Sequence, residues 1–217
     1  MGYTGEVGAW RIATTRGYPP LGAIAGIDLE GLTFNGQVWE SDGRSKQAFP
    51  GTYTIGTTIP FTMVAPESAE WVMTVGQSSF PRPKILLTPE GQQRVYEAVE
   101  SRLGECLAST EANPPGCPFG LGDRPAVDLF RHPIDVASIT WSLSEESDRV
   151  LSGGFRLDVE TMKARPSDGG MVSVFAIATA KDGAMYRSPP HSFRLVVDLS
   201  DPDNNPVVSL CQGSEGC

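Results

Sequence analysis

The sequence predicts an α+β protein in which a small N-terminal antiparallel β unit precedes one long helix packed on a 4–5-stranded antiparallel sheet. The chain has 24 Gly and 18 Pro among 217 residues, more than a helical bundle tolerates, because Gly costs backbone entropy and Pro removes a hydrogen-bond donor. Most apolar runs are short, rich in β-branched and aromatic residues, and bounded by turn residues, whereas a single long stretch has helical periodicity. The length fits one large domain or two small ones, and we favour two.

Residues 21–78, after an N-terminal segment 1–20, are predicted to form a small β domain. Asn35-Gly36 indicates a tight hairpin turn, since both residues tolerate positive φ angles. In the strand that follows Pro50, alternation places Tyr53 and Ile55 on one face. The predicted strands are 24–29, 32–39, 51–57, 61–64 and 71–75.

A Ser- and Pro-rich stretch over 76–84 interrupts this periodicity, and its prolines favour an extended chain. We place the domain boundary there. The second domain is predicted over 84–210, and a short tail over 211–217 closes the chain.

The second domain is predicted to begin with a helix over 89–108. Thr88 is a favourable N-cap, Pro89 suits the first helical position, and Glu90 complements the positive end of the helix dipole. An apolar stripe recurs at four-residue intervals and comprises Val95, Val99, Leu103 and Leu107, with Cys106 beside it. Acidic residues dominate the opposite face, which indicates a helix packed on one side.

The rest of the second domain reads as strands with alternating or continuous apolar residues. The stretches 167–170 and 181–183 are predicted to be hairpin turns, and 143–148 a hydrophilic turn. Trp141 is expected in the core of this domain. The predicted strands are 134–143, 154–164, 171–181, 192–199 and 206–210.

The four cysteines form two local pairs. Cys106 and Cys117 flank the turn-forming stretch 113–116, and Cys211 and Cys217 flank a Gly-rich tail. We predict the pairings Cys106–Cys117 and Cys211–Cys217, although four cysteines allow three connectivities and free thiols stay an alternative. Zinc is disfavoured because neither pair has ligand-like spacing. Disulfides would place the chain in an oxidising compartment.

The net charge argues against nucleic acid as a partner, and the hydropathy argues against a membrane-spanning segment. The net charge of −9 repels phosphate backbones, so nucleic acid is not expected as a partner. No apolar run reaches the ~20 residues that cross a bilayer. We interpret Met1, with or without Gly2, as an addition to the natural chain, and expect a native export segment or membrane anchor upstream.

A search for catalytic, cofactor or metal motifs predicts none. The sequence has neither a GxSxG pentapeptide nor a phosphate-binding glycine fingerprint. His132 and His191 stand next to prolines in turn-like surroundings, which does not favour a general base. The polar run 198–205 has oxygen-bearing residues but lacks the glycine and the distal glutamate of a calcium loop.

The order of domains and one cysteine motif resemble a known architecture. The run 105–109, followed by 114–120 with its Gly-Cys-Pro-Phe-Gly pattern, resembles the extracytoplasmic region of certain actinobacterial single-pass cell-envelope membrane proteins. In that family a small β domain, here similar over 35–53, precedes a region similar to the cystatin or NTF2-like folds. The resemblance implies an exported, membrane-tethered module and supplies no catalytic residues.

Three functional hypotheses follow. The first is a non-catalytic, membrane-anchored extracytoplasmic module that binds or scaffolds another cell-envelope protein. The second is a module that binds a lipid or small apolar ligand between helix and sheet, and the third is an enzyme of unknown reaction. An exposed aromatic patch would favour the first, a wholly apolar pocket the second, and a convergent His–carboxylate pair the third.

Overall fold

The α+β class is confirmed by a computed structural model, which describes residues 3–6, 9–12, 31–38, 51–74, 83–122, 138–179, 183, 185–201 and 205–212. This part of the chain contains antiparallel strands and two α-helices. The chain divides into two compact units: the first takes 1–59 and 63–85, and the second takes 60–62 and 86–217. The predicted linker 76–84, apart from Pro83 and Lys84, lies outside the described residues.

The first unit contains a β-hairpin and a four-stranded antiparallel sheet in the order β4-β3-β5-β7. Its strands are β1 (Tyr3–Glu6), β2 (Ala9–Ile12), β3 (Leu32–Phe34), β4 (Gln37–Val38), β5 (Gly51–Thr57) and β7 (Glu70–Met73), with β6 (Thr62–Val64) before β7. The chain passes between the units in β6 and in β8 (Ile85–Leu87), which pair with each other. The hairpin β1–β2 was not predicted, because its Gly-rich sequence lacks apolar alternation. The predicted strand 24–29 lies outside the described residues.

The predicted Asn35-Gly36 turn is confirmed between β3 and β4. Asn35 and Gly36 have φ angles of 48° and 77°, and the Oδ1 atom of Asn35 accepts a hydrogen bond from the Thr54 amide at 2.8 Å. On β5, Ile55 is buried while Thr54 is exposed, as alternation predicts. The core of this unit comprises Leu32, Phe34, Ile55, Val64 and Trp71.

The long helix of the second unit is α1 (Pro89–Leu107), which confirms the predicted helix. The Oγ1 atom of Thr88 accepts a hydrogen bond from the Gly91 amide at 3.0 Å, as an N-cap should. The buried stripe contains Val95, Val99, Leu103 and Cys106. These side chains share one core with the inward residues of the sheet, among them Trp141.

The sheet of the second unit has seven strands, more than predicted. β14 pairs with β11, β12 and β15, and β12 also pairs with β9 and β13, all antiparallel. β12 reproduces the predicted strand 171–181 closely, and 180–182 lie outside the described residues. The strands are β9 (Thr140–Leu143), β10 (Phe155–Asp158), β11 (Lys163–Pro166), β12 (Val172–Thr179), β13 (Met185–Arg187), β14 (His191–Asp198) and β15 (Val207–Cys211).

The prediction of a single strand over 154–164 is wrong, because β10 and β11 form a hairpin there. The Oδ1 atom of Asp158 accepts a hydrogen bond from the Glu160 amide at 3.2 Å, and Met162 has a φ angle of 50°. An Asp side chain that bonds the backbone two residues on is a turn signal that the apolar alternation concealed. The stretch 167–170 is a turn, but it is not a hairpin, since it joins β11 to β12 and β11 pairs with β10 and β14.

The prediction of a hydrophilic turn over 143–148 is also wrong, because α2 (Glu145–Ser152) forms there. Ser144 is its N-cap and accepts a hydrogen bond from the Ser147 amide at 3.2 Å. Three acidic residues in the first turn complement the helix dipole. Val150 and Leu151 are buried. These apolar residues of α2 follow the predicted turn 143–148, so that stretch by itself showed only polar residues.

Ser147 holds α2 to the edge of β12. Its side chain is fully buried, accepts a hydrogen bond from the Ser173 amide at 2.6 Å, and donates one to the Ser173 carbonyl at 2.9 Å. The hydroxyl therefore bonds both backbone groups of Ser173 just beyond the end of the β9 pairing, where the Ser173 carbonyl also accepts a hydrogen bond from the Ser144 amide at 3.0 Å.

We expect Ser147→Ala to lower the free energy of unfolding by about 1–3 kcal/mol, because the half-buried Ser173 amide would lose its acceptor. Chemical denaturation followed by circular dichroism measures this loss. Ser152→Ala is the matched control, since that hydroxyl is on the same helix but exposed. Equal losses in the two variants would contradict the role assigned to Ser147.

Candidate functional site

The predicted Cys106–Cys117 disulfide is confirmed. The two Cα atoms lie 5.8 Å apart, and the bond joins the end of α1 to the segment that follows it. Cys211, at the end of β15, is also disulfide-bonded. Its predicted partner Cys217 lies outside the described residues, so the pairing Cys211–Cys217 stays a prediction.

Side chains fix the segment enclosed by the Cys106–Cys117 bond. The Oδ1 atom of Asn113 accepts a hydrogen bond from the Gly122 amide at 2.9 Å, and the indole of Trp141 donates to the Glu111 carbonyl at 3.0 Å. A guanidinium nitrogen of Arg102 donates to the Gly116 carbonyl at 2.5 Å. The disulfide-closed segment is thus attached both to the core and to the outer side of α1.

A groove of about 450 Å³ lies between the outer side of α1 and the beginning of β15. On the helix its lining follows two rows with four-residue spacing, which places the members of each row above one another. One row is Arg94, Ala98 and Arg102, and the other is Glu97, Ser101 and Glu105. The facing wall consists of Asn205, Pro206 and Val208. The groove therefore has small residues in the middle and charges of both signs at its ends.

The two arginines of the groove differ in their contacts. Arg102 lies 3.0 Å from a carboxylate oxygen of Glu105 and also bonds Gly116, as described above. Arg94 lies over the ring of Phe61, 4.4 Å from its centroid. Among the described residues, no carboxylate lies within ion-pairing distance of Arg94. Glu105 therefore compensates the charge of Arg102, whereas Phe61 is the contact that holds Arg94 among the described residues.

Phe61 is held in an unusual conformation at the N-terminus of α1. Its φ angle of 61° is in the left-handed region, which is rare for a bulky residue. Its carbonyl accepts hydrogen bonds from the Thr88 amide at 2.8 Å and from the Thr88 hydroxyl at 3.2 Å. A Cβ atom on Gly91 would lie 2.5 Å from that carbonyl oxygen, so glycine permits the close approach.

His191 lies at the start of β14 beside the aromatic part of the core. Its ring meets Trp141 edge to face at 5.6 Å, and its Nε2 atom is buried without a hydrogen-bond partner among the described residues. Burial lowers the pKa of His191 below its ordinary value. These contacts do not bring His191 to a carboxylate, and His132 lies outside the described residues.

The polar run 198–205 is described at both ends but not over 202–204. The Oδ1 atom of Asp198 accepts a hydrogen bond from the Ser200 amide at 2.9 Å, and hydrogen bonding from Ser200 lowers the pKa of Asp198. No group of three or more His, Cys, Asp or Glu residues converges within the described ranges.

We expect the free energy of unfolding to rise with pH between about 5 and 7.5, in part because of His191. Its pKa in the folded state lies below the unfolded value of about 6.5, so in this window the unfolded chain binds more protons and acid favours unfolding. His191→Phe keeps an aromatic ring beside Trp141 and should flatten the profile. Urea denaturation at several pH values measures the profile. An unchanged slope in His191→Phe would contradict the assignment.

Comparisons with protein-family models, curated proteins and solved structures found no match. Within the described ranges, neither helix combines the length and apolarity that a membrane crossing requires. The assignment of function to this chain depends on the groove and the contacts around it.

Sequence reasoning identified the acidic side of α1 but missed the arginines of the groove. The recurrence of Arg94, Ala98 and Arg102 at helical spacing was a usable signal, because it marks one side of a helix whose bounds were predicted correctly. The residues that face α1 across the groove and at Phe61 gave no such signal in the sequence. Phe61 and β15 reach α1 from distant parts of the chain.

Proposed function

We propose that this chain is a non-catalytic extracytoplasmic module that binds another cell-envelope protein through the groove between α1 and β15. The observation that carries this proposal is the groove itself, whose lining combines two arginines, two glutamates and small residues on one helix. Protein-binding surfaces are enriched in arginine, and central arginines often contribute much of the binding energy.

The composition of the groove favours a protein segment over an apolar ligand. Pockets for lipids and small apolar molecules are lined mainly by hydrophobic side chains. Here the charged residues stand at both ends of each helical row, and the wall contributes Asn205 and Pro206. A polypeptide can offer charged side chains and backbone groups to such a lining at the same time, which supports the first of the three hypotheses.

A second surface in the same unit offers an aromatic contact. On the outer side of β12, Phe175 is half-buried and lies beneath Arg187 of β13, 3.5 Å from the guanidinium carbon to the ring centroid. Ile177 is half-buried on the same side, and Met185 is 76% exposed. These residues support a binding module, although the mixed-charge groove has the more specific lining.

The Cys106–Cys117 bond supports an extracytoplasmic location, because disulfides persist in oxidising compartments. The resemblance to tethered envelope proteins supports a position on the outer side of a bacterial cell membrane. A tether in that position would hold the groove near other envelope proteins at high effective concentration, so a modest affinity would suffice for binding.

Site-specific photo-crosslinking in intact host cells tests this function. A photoreactive residue in place of Ser101, which is exposed at the middle of the groove, should give an adduct with one envelope protein. The matched control is Asp168, which is exposed in the turn between β11 and β12. Adducts of equal yield at both positions, or none at Ser101, would contradict the proposal.

A further inference from the structure

Arg94 is the group in the groove with unused binding capacity. A guanidinium is always charged and carries five N–H donors along its edge. The guanidinium carbon of Arg94 lies over the Phe61 ring, and among the described residues no carboxylate pairs with the guanidinium. The side chain is half-buried, so part of its hydration is already lost before a ligand arrives.

The fold also restrains Arg94 before any binding takes place. Phe61 adopts a left-handed backbone conformation, and Gly91 makes room for the Phe61 carbonyl at the first turn of α1. Strained backbone of this kind persists where the surroundings enforce it and is frequent at binding sites. Here the strained residue supplies the ring on which Arg94 lies, and a restrained side chain loses less entropy when it binds.

Arg102 provides an internal contrast, since it lies on the same row of α1. Its charge is compensated by Glu105 and its donors reach the Gly116 carbonyl. It therefore attaches the disulfide-closed segment to the helix. Among the described residues, Arg94 contacts Phe61 and attaches no other segment of the chain to the helix.

The dimensions of the groove suit a short extended peptide. From position 94 to position 102 the helix rises about 12 Å, at ~1.5 Å per residue, which equals the length of about four residues of extended chain. A carboxylate on such a peptide can pair with Arg94 through two parallel hydrogen bonds. On the second row Glu105 is 65% exposed although it pairs with Arg102, and Glu97 has no ion pair among the described residues. This row therefore keeps negative charge that attracts a basic side chain of the same peptide.

We propose that Arg94 binds an aspartate or glutamate side chain of an extended segment of the partner protein, and that a basic residue three or four positions away meets the Glu97–Glu105 row. This inference rests on the proposed function and specifies the chemistry that the partner offers. It assigns recognition to one guanidinium, which makes it testable with small peptides.

Titration of the full chain with blocked hexapeptides tests the inference. One peptide carries Glu at its second position and Lys at its fifth, and its companion has Gln in place of Glu; blocked ends exclude terminal charges. We expect the Glu peptide to bind at least tenfold more tightly and to shift the Arg94 side-chain Nε–H resonance. Arg94→Gln should remove this preference, and Arg94→Lys should restore it only in part, because an ammonium lacks the planar fork.

Arg156→Gln is the matched control, since Arg156 is an exposed arginine on β10 outside the groove, and we expect it to bind like the wild type.

A native amide spectrum establishes that each variant is folded. Equal affinity for the Glu and Gln peptides, absence of binding to both, a preference that survives in Arg94→Gln, or acetate binding as tightly as the Glu peptide would each overturn the inference. If the peptide experiment fails in one of these ways but the Ser101 adduct forms, the proposed function stands and only the role of Arg94 is wrong. If the peptide binds through Arg94 but no adduct forms at Ser101, Arg94 recognises a carboxylate but the proposed envelope partner is wrong.

Discussion

Phe193→Ala is expected to lower the free energy of unfolding of the second unit by about 3–5 kcal/mol, the usual cost of removing a buried aromatic ring. Phe193 is fully buried on the inward side of β14. Its ring lies 5.9 Å from that of Phe119, which in turn lies 4.7 Å from Trp141. The truncation would therefore open a cavity where the sheet meets Phe119, two residues beyond Cys117.

Native-state amide exchange at Val95 and Val99 measures this loss, because the buried turns of α1 exchange only when their unit unfolds. Tyr96→Ala is the matched control: Tyr96 is an aromatic residue on α1 that is 40% exposed, and its truncation should cost less than about 1 kcal/mol. Similar losses in both variants would show that the aromatic cluster does not contribute to the core as described.

Removal of the Cys106–Cys117 bond in the double variant Cys106→Ala/Cys117→Ala is expected to cost about 3 kcal/mol. The sequence separation is 11 residues, and a loop of this size loses conformational entropy in the unfolded chain when it is closed. The Gly116 carbonyl would also be held less firmly against Arg102. The melting temperature should fall by several degrees.

Differential scanning calorimetry of the double variant checks this result. Asn113→Ala is a suitable control, because it removes two exposed hydrogen bonds to Gly122 within the same region but leaves the crosslink in place. We expect it to cost about 1 kcal/mol. A double variant as stable as Asn113→Ala would show that hydrogen bonds alone hold the segment.

Elements with local signals were predicted well. Helix α1 begins at Pro89 because Thr88 caps it, and both features are adjacent in sequence. The Asn35-Gly36 hairpin and the alternation in β5 likewise depend on neighbouring residues. The Cys106–Cys117 bond followed from a turn-forming sequence between two nearby cysteines.

Elements that depend on distant partners were predicted poorly. The polar sequence of α2 was predicted to be a turn. The helix is stabilised by the hydrogen bond between Ser147 and Ser173, which lies 26 residues further along the chain. The strand predicted over 154–164 divides at the local turn that Asp158 marks, but the pairing of β11 with β14 has no signal near it in the sequence. Local preference cannot resolve such cases, since the gain comes from contacts that a linear pattern does not contain.

The sequence by itself determined the α+β class, the capped helix and the local disulfide, because propensity, capping and short loops act over a few residues. The tertiary structure alone decided the candidate site. Arg94 acquires its role only when Phe61 is brought beneath it, and the groove exists only when β15 returns beside α1. Both juxtapositions join residues far apart in the chain. The groove forms because the apolar faces of α1 and the sheet share one core, and Phe61 is held at the start of α1 by its hydrogen bonds to Thr88.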